Sequence, residues 1–305
     1  MADAVVSRFR WYTMIRGARG SAHGSCRRTR DGLAQGVWPG DLRVDRAQGA
    51  RLPGSLDAAR AAILAGDPEQ LLDAFPDGVR IDDPRAGRVE DRPALEAYWE
   101  SSAAWLAGRR ADARLIASTV GASRVVGEFE VSLTEGDRTF GLPLAVVVEP
   151  DTGSRRVWIR IYHSQWPLLG RHLVRAPLLD KDPSVRESDV VDEYQSALAA
   201  GDAARIVATF EPDGCFREPA GAEYRVCGSR DLDGFFQRFF SAGGGIILEH
   251  CAVTEDGTRT ALEFNAVRWG GIDLPPQAGV AVYERGRTGK IAEARIYDGG
   301  EGPVE

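Results

Sequence analysis

The chain repeats itself at an offset of 135 residues. Gly66-Asp67 recurs as Gly201-Asp202, and Arg160-Ile161-Tyr162 recurs as Arg295-Ile296-Tyr297. The same offset pairs Phe75 with Phe210, Pro84 with Pro219, Glu128-Phe129 with Glu263-Phe264, and Glu149 with Glu284. The acids before the two prolines also correspond, Asp83 with Glu218. One fold is therefore present twice, each unit about 110 residues long, enough for an independent core. Whatever both copies keep is read as scaffold. Polar positions that differ mark where function has diverged.

The units are read over residues 55–166 and 189–300, joined by a proline-bearing linker (167–188) and followed by a short tail (301–305). In the first unit, alanine-rich helical spacing from Leu56 stops at Gly66, a common C-terminal signal. Asp67 then caps a second short helix reaching Phe75. A strand, Val79 to Asp83, ends at Pro84, and a third helix runs from Pro93 to Leu106. Strands follow over 114–120, 124–134, 142–149 and 156–164. The second unit gives the same order: helices over 189–200, 202–210 and 231–240, and strands over 215–218, 246–254, 260–269, 279–285 and 291–297. Each helix is apolar on one side, so the helices must cover one face of a curled antiparallel sheet. The fold class is α+β, with three helices per unit.

Residues 1–54 differ from the rest, with ten Arg, four acids and no apolar periodicity. They read as a disordered basic segment, or as sequence upstream of a later start at Met14. The formal net charge of −7 gives no general attraction to nucleic acid. No apolar run approaches the roughly 18 residues of a membrane span. Cys26, Cys215, Cys227 and Cys251 lie at unrelated spacings and are read as reduced thiols of a cytoplasmic protein. No spacing suggests a metal site, and no phosphate loop, dinucleotide cradle or nucleophile elbow is present. Neither cofactor nor metal is expected.

The helix ending in Gly-Asp, the strand ending in acid-Pro and the last strand with its terminal aromatic resemble the nuclear transport factor 2-like superfamily. That group includes ketosteroid isomerases, limonene-type epoxide hydrolases and SnoaL-like polyketide cyclases. The resemblance implies two tandem cone-shaped barrels of the cystatin-like type, each with a deep pocket for a small apolar organic molecule. It also implies sheets that pair face to face. Here the two repeats would pair within one chain, as a monomer or homodimer. By the same resemblance the general base falls on Asp83 in the first unit and Glu218 in the second. The oxyanion tyrosine falls on Tyr194, with Ala59 at the twin position. A second oxyanion acid would fall on Leu144 and Gly279, and neither can donate a proton.

Alternation along the last strands places Ile161 with His163 and Ile296 with Asp298 on the face that the resemblance turns toward the pocket. The expected site residues are thus Glu218, Tyr194 and Asp298 in one unit, and Asp83 and His163 in the other. Two carboxyls in one apolar pocket would separate into an acid and a base. The bland alternatives are concrete. An acid before proline commonly caps a turn, a helix tyrosine commonly packs in a core, and His250 on its strand is read as structural. Glu128, Glu263, Arg160 and Arg295 are kept in both copies, and are read as cross-strand ion pairs or as part of the contact between sheets. The functional expectation is cofactor-independent isomerisation, cyclisation or epoxide opening. The alternative is a non-catalytic binding or pairing module with filled pockets.

Overall fold

Glycine ends a helix where only a left-handed residue can release its last carbonyls, and Gly201 does so at φ 68° after helix α3 (Asp189–Ala200). Asp202 follows, and its carboxylate accepts the Arg205 N–H at 3.0 Å to start α4 (Ala203–Ala208). The Gly-Asp signature thus works as a stop followed by a cap. The computed structural model describes residues 73, 75, 78–151, 156–221 and 223–300. The basic segment, the first helix of the first unit and most of its second helix lie outside these residues.

The described residues fall in one compact unit holding two six-stranded sheets. The first sheet comprises β1 (Val79–Asp83), β2 (Gly87–Val89), β3 (Asp112–Val120), β4 (Val125–Glu135), β5 (Arg138–Pro150) and β6 (Val157–Tyr162), in the order β2-β1-β6-β5-β4-β3. The second comprises β7 (Phe210–Arg217), β8 (Arg225–Cys227), β9 (Ile246–Glu255), β10 (Arg259–Trp269), β11 (Ile272–Arg285) and β12 (Ile291–Asp298), in the order β8-β7-β12-β11-β10-β9. The two orders are identical, as a duplication requires. Helix α1 (Arg92–Gly108) belongs to the first half, α2 (Trp166–Leu169) to the linker, and α3, α4 and α5 (Ser229–Phe239) to the second.

Two expectations are corrected here. The sheets are mixed rather than antiparallel, because β1 runs parallel to β6 and β7 parallel to β12. Local alternation carries no information about which strand a neighbour will be, so the parallel pair was not legible. Trp166–Leu169, at the start of the linker, form a helical turn closed by Gly170 at φ 65°. The cysteines are not all reduced: Cys215 and Cys227 form a disulfide, and Cys251 is free and buried. The two bonded cysteines face each other because they are register partners on β7 and β8, a relation set by pairing rather than by spacing.

Each half has its own apolar interior. In the first, Val79, Ile81, Leu95, Tyr98, Val146, Val148 and Ile159 cluster between α1 and the sheet. In the second, Tyr194, Phe210, Phe216, Leu232, Phe235, Phe236, Phe264 and Tyr283 do the same between α3–α5 and their sheet. A third cluster joins the opposite faces of the two sheets: Val126, Ala145, Val147 and Tyr162 from one, and Ala261, Val280, Val282 and Tyr297 from the other.

Buried within that contact are the repeated charges. Arg160 donates from Nε and Nη2 to both oxygens of Glu263, at 2.6 and 2.8 Å, and Arg295 does the same to Glu128 at the same two distances. Tyr162 Oη donates to Glu263 and Tyr297 Oη to Glu128, each at 2.7 Å. The pairs thus connect sheet to sheet rather than strand to strand. Each arginine also holds the following acid of its own sheet, Glu149 or Glu284, which Arg124 or Arg259 grips from the other side. Every member of this network is repeated at the 135-residue offset.

Candidate functional site

A strand places alternate side chains on opposite faces, so Tyr297 on the sheet–sheet side puts Asp298 on the inner side. Asp298 stands in register opposite Gly279 of β11. A Cβ on Gly279 would lie 2.8 Å from the Asp298 Cβ and 2.6 Å from the Phe264 ring, so glycine is what leaves room for both. On β7, Phe216 belongs to the inner cluster, and Glu218 follows it two residues later.

Both acids are shifted upward by their surroundings. Glu218 is pushed up to about 7, first by burial and then by the charge of Asp298. Asp298 is pushed up to about 6 by burial, against a partial offset from the Gly300 N–H that its carboxylate accepts at 3.1 Å. No Arg, Lys or His side chain pairs with either acid among the described residues. This sets them apart from the buried Glu128, Glu263 and Asp82, each held by arginine. A carboxyl held near neutrality can exchange a proton at ordinary pH.

Tyr194 is fully buried, but its ring packs against Phe210 and Tyr283, with centroids 5.9 and 5.2 Å away. Burial alone raises its hydroxyl well above the usual range, and no hydrogen bond to that hydroxyl is found among the described residues. Nothing in the geometry places it against Glu218. The second unit therefore brings together Glu218 and Asp298, with Tyr194 deeper in the aromatic core. Phe216, Phe235, Phe236, Phe239, Phe240 and Trp269 form a continuous stack there, with neighbouring centroids 4.9–6.4 Å apart.

The twin acid has another fate. Asp83 Oδ1 accepts the Arg85 and Ala86 N–H groups at 2.6 and 3.0 Å, and Oδ2 accepts the Tyr98 hydroxyl at 2.8 Å. Its lone pairs are used to pin the β1–β2 turn to α1, the turn-capping role of an acid before proline. Glu218 makes none of these bonds, and the helix position that matches Tyr98 by its buried face is Phe235, which has no hydroxyl. His163 is buried and feels the charge of Asp83, but no hydrogen bond joins them; its Nδ1 lies 3.1 Å from the Ser164 carbonyl. Burial holds the imidazole below its ordinary value. His250 Nδ1 lies 2.6 Å from Glu187, a structural pair between the linker region and β9. Among the described residues no group of three or more His, Cys, Asp or Glu is arranged to hold a metal, and no helix is long and apolar enough to cross a membrane.

The sign of the titration gives a first test. Both acids are held above their ordinary values, so folding favours their protonated forms. That contribution is complete below about pH 4 and is lost as pH rises through about 6 to 7. The salt-bridged Glu149 and Glu284 are shifted down and act below this window. Relative to wild type, Glu218→Gln should therefore gain stability between pH 4 and 8, by on the order of 2 kcal/mol after allowance for partial exposure. Urea unfolding of the two proteins across that range measures the difference, and a difference independent of pH would refute the assignment.

Two six-stranded mixed sheets of the same strand order, with helices on their inner faces, make a tandem α+β fold. Residues 191–294 match the family model described as a SnoaL-like domain. The first half has the same strand order as the half that contains this match. Similar solved structures each span one such unit. One is a nuclear transport factor 2-like protein from Cytophaga hutchinsonii, 16% identical over 38% of this chain and 94% of that one, with a TM-score of 0.30. Another is a SnoaL-like protein from Burkholderia thailandensis, 15% identical over 35% and 90%, TM-score 0.30. A third, from Catenulispora acidiphila, has a ketosteroid isomerase-like fold and was solved with trimethylamine; it is 17% identical over 37% and 86%, TM-score 0.30. No curated protein matches the chain.

Proposed function

We propose that the second half binds a small apolar organic molecule and moves a proton on it, as a cytoplasmic isomerase or cyclase that needs no cofactor. The observation that carries this reading is the Glu218–Asp298 pair, two acids without a counter-charge on the inner face of an aromatic-rich sheet. A carboxylate with a pKa near neutrality is a suitable base for a carbon acid next to a carbonyl. A neighbouring protonated carboxyl can donate to the oxygen on which charge develops. Asp298 stands across the ladder from Gly279, where the related isomerases would carry their second oxyanion acid. The ladder thus returns a carboxyl to that neighbourhood from the next strand. The first half, with its acid used in a turn, serves as the structural partner.

The competing reading is a filled, non-catalytic module. It is favoured by the aromatic stack from Phe216 to Trp269, which occupies part of the same interior. A panel of apolar carbonyl compounds and amines, followed by thermal unfolding, separates the two. A binder present at about 100 times its Kd adds roughly 2.7 kcal/mol and raises Tm by a few degrees. The shift should vanish in Glu218→Gln. A panel without any shift would favour the filled module.

A further inference from the structure

The β1–β2 and β7–β8 hairpins are twins, yet they are held by different chemistry. In the first, Asp82 takes Arg80 Nε at 3.2 Å, Arg88 Nε at 3.1 Å and Trp158 Nε1 at 2.6 Å, while Arg80 also reaches Glu90 at 3.5 Å across the strands. Asp83 pins the turn. At the corresponding register positions of the second half stand Cys215 for Arg80, Arg217 for Asp82, Glu218 for Asp83, Arg225 for Arg88 and Glu293 for Trp158. One polar pin remains, Arg225 Nε to Glu293 at 2.9 Å, and the others have been replaced. The Cys215–Cys227 disulfide now joins the two strands close to where Arg80 meets Glu90. Strand β8 is only three residues long and lies at the sheet edge, so it has few other restraints. The loop that the bond encloses contains Glu218 and the turn closed by Glu218 N–H to Tyr224 O and Tyr224 N–H to Gly221 O.

Exposure makes this bond reachable from one side: Cys227 is exposed and Cys215 is 6% exposed. We infer that Cys215–Cys227 is a thiol–disulfide exchange site, at which a small dithiol reductant sets the order of the hairpin carrying Glu218. One thiolate of the reductant attacks Cys227 Sγ; the S–S bond breaks, and Cys215 leaves as a thiolate that is then protonated. The second thiol of the reductant displaces Cys227 from the mixed disulfide, leaving two protein thiols and an oxidised, cyclic reductant. Two electrons and two protons pass to the protein. A cytoplasmic location, part of the functional reading above, makes the bond a reversible one, because reducing systems there keep thiols free. The regulatory consequence rests on that reading of Glu218, whereas the exchange chemistry does not.

Dithiothreitol is the probe, with alkylation and amide hydrogen exchange read by mass spectrometry on the full chain. Cys215 and Cys227 should alkylate only after reduction. Exchange at the Tyr224 and Gly228 amides should then accelerate by about tenfold or more, the scale expected when a cross-link closing so short a loop is lost. Reoxidation should restore protection, and Cys215→Ser/Cys227→Ser should match the reduced protein and ignore the reductant. Alkylation of both cysteines in the untreated protein, or exchange unchanged by reduction, would overturn the inference. If exchange responds while no ligand shifts Tm in either redox state, the exchange site stands and the ligand reading fails. If a ligand shift persists while exchange ignores reduction, the ligand reading stands and the exchange site fails.

Discussion

Replacing Arg160 by Met should cost about 3–5 kcal/mol, among the largest losses available to a single substitution in this chain. Arg160 is fully buried, and Glu263, its bidentate partner, is nearly so. Removing the guanidinium leaves the Glu263 carboxylate with the Tyr162 hydroxyl and an Arg124 that stands 3.8 Å away. The loss comes from that uncompensated charge more than from the attraction itself. A buried pair recovers little beyond its own desolvation. Arg160→Met/Glu263→Leu should therefore lose less than Arg160→Met alone. Urea unfolding of the two singles and the double gives the coupling, and strict additivity would refute the account. Arg295→Met should behave alike, because its distances to Glu128 are the same.

The second large effect is on chemistry. With a substrate drawn from the ligand panel, Glu218→Gln should lower the rate constant by roughly 10²–10⁴, the usual range for a lost acid–base group. Asp298→Asn should fall in the same range if Asp298 supplies the acid of the proposed pair, since its charge also helps to raise Glu218. Asp83→Asn should change the rate by less than about tenfold while destabilising the fold by about 1–3 kcal/mol, because it disturbs three hydrogen bonds. Stopped-flow or single-turnover rates, with unfolding curves for each variant, test the contrast. Equal rate effects at Glu218 and Asp83 would sink the assignment.

Much of this fold was legible because two copies vouch for each other. Strands such as β10 are long and end at recognisable turns, so their limits agree with the sequence within a residue or two. The three-residue strands β2 and β8 are too short to show a period. The mixed character of the sheets depends on which strands meet, and so does the disulfide. The site was half legible. Residue type and position single out Asp83 and Glu218 equally. What separates them is Tyr98, a helix residue fifteen positions away in one copy, whose place on the buried helix face is taken by Phe235 in the other. The fixed offset hides that correspondence, because the second hairpin is two residues longer. Asp298 was proposed from strand alternation and a twin histidine. The aromatic company of Tyr194 is a packing outcome that no spacing announces.

The reciprocal grip of Arg160 on Glu263 and of Arg295 on Glu128 has an evolutionary consequence. Neither half is electrically complete, because each buries an arginine whose answering acid belongs to the other. A mutation in one copy is therefore judged by a residue 103 or 167 positions away. The two copies were free to drift apart at the ends of their strands, where Asp83, Glu218, His163 and Asp298 lie. They were bound to age together along the seam.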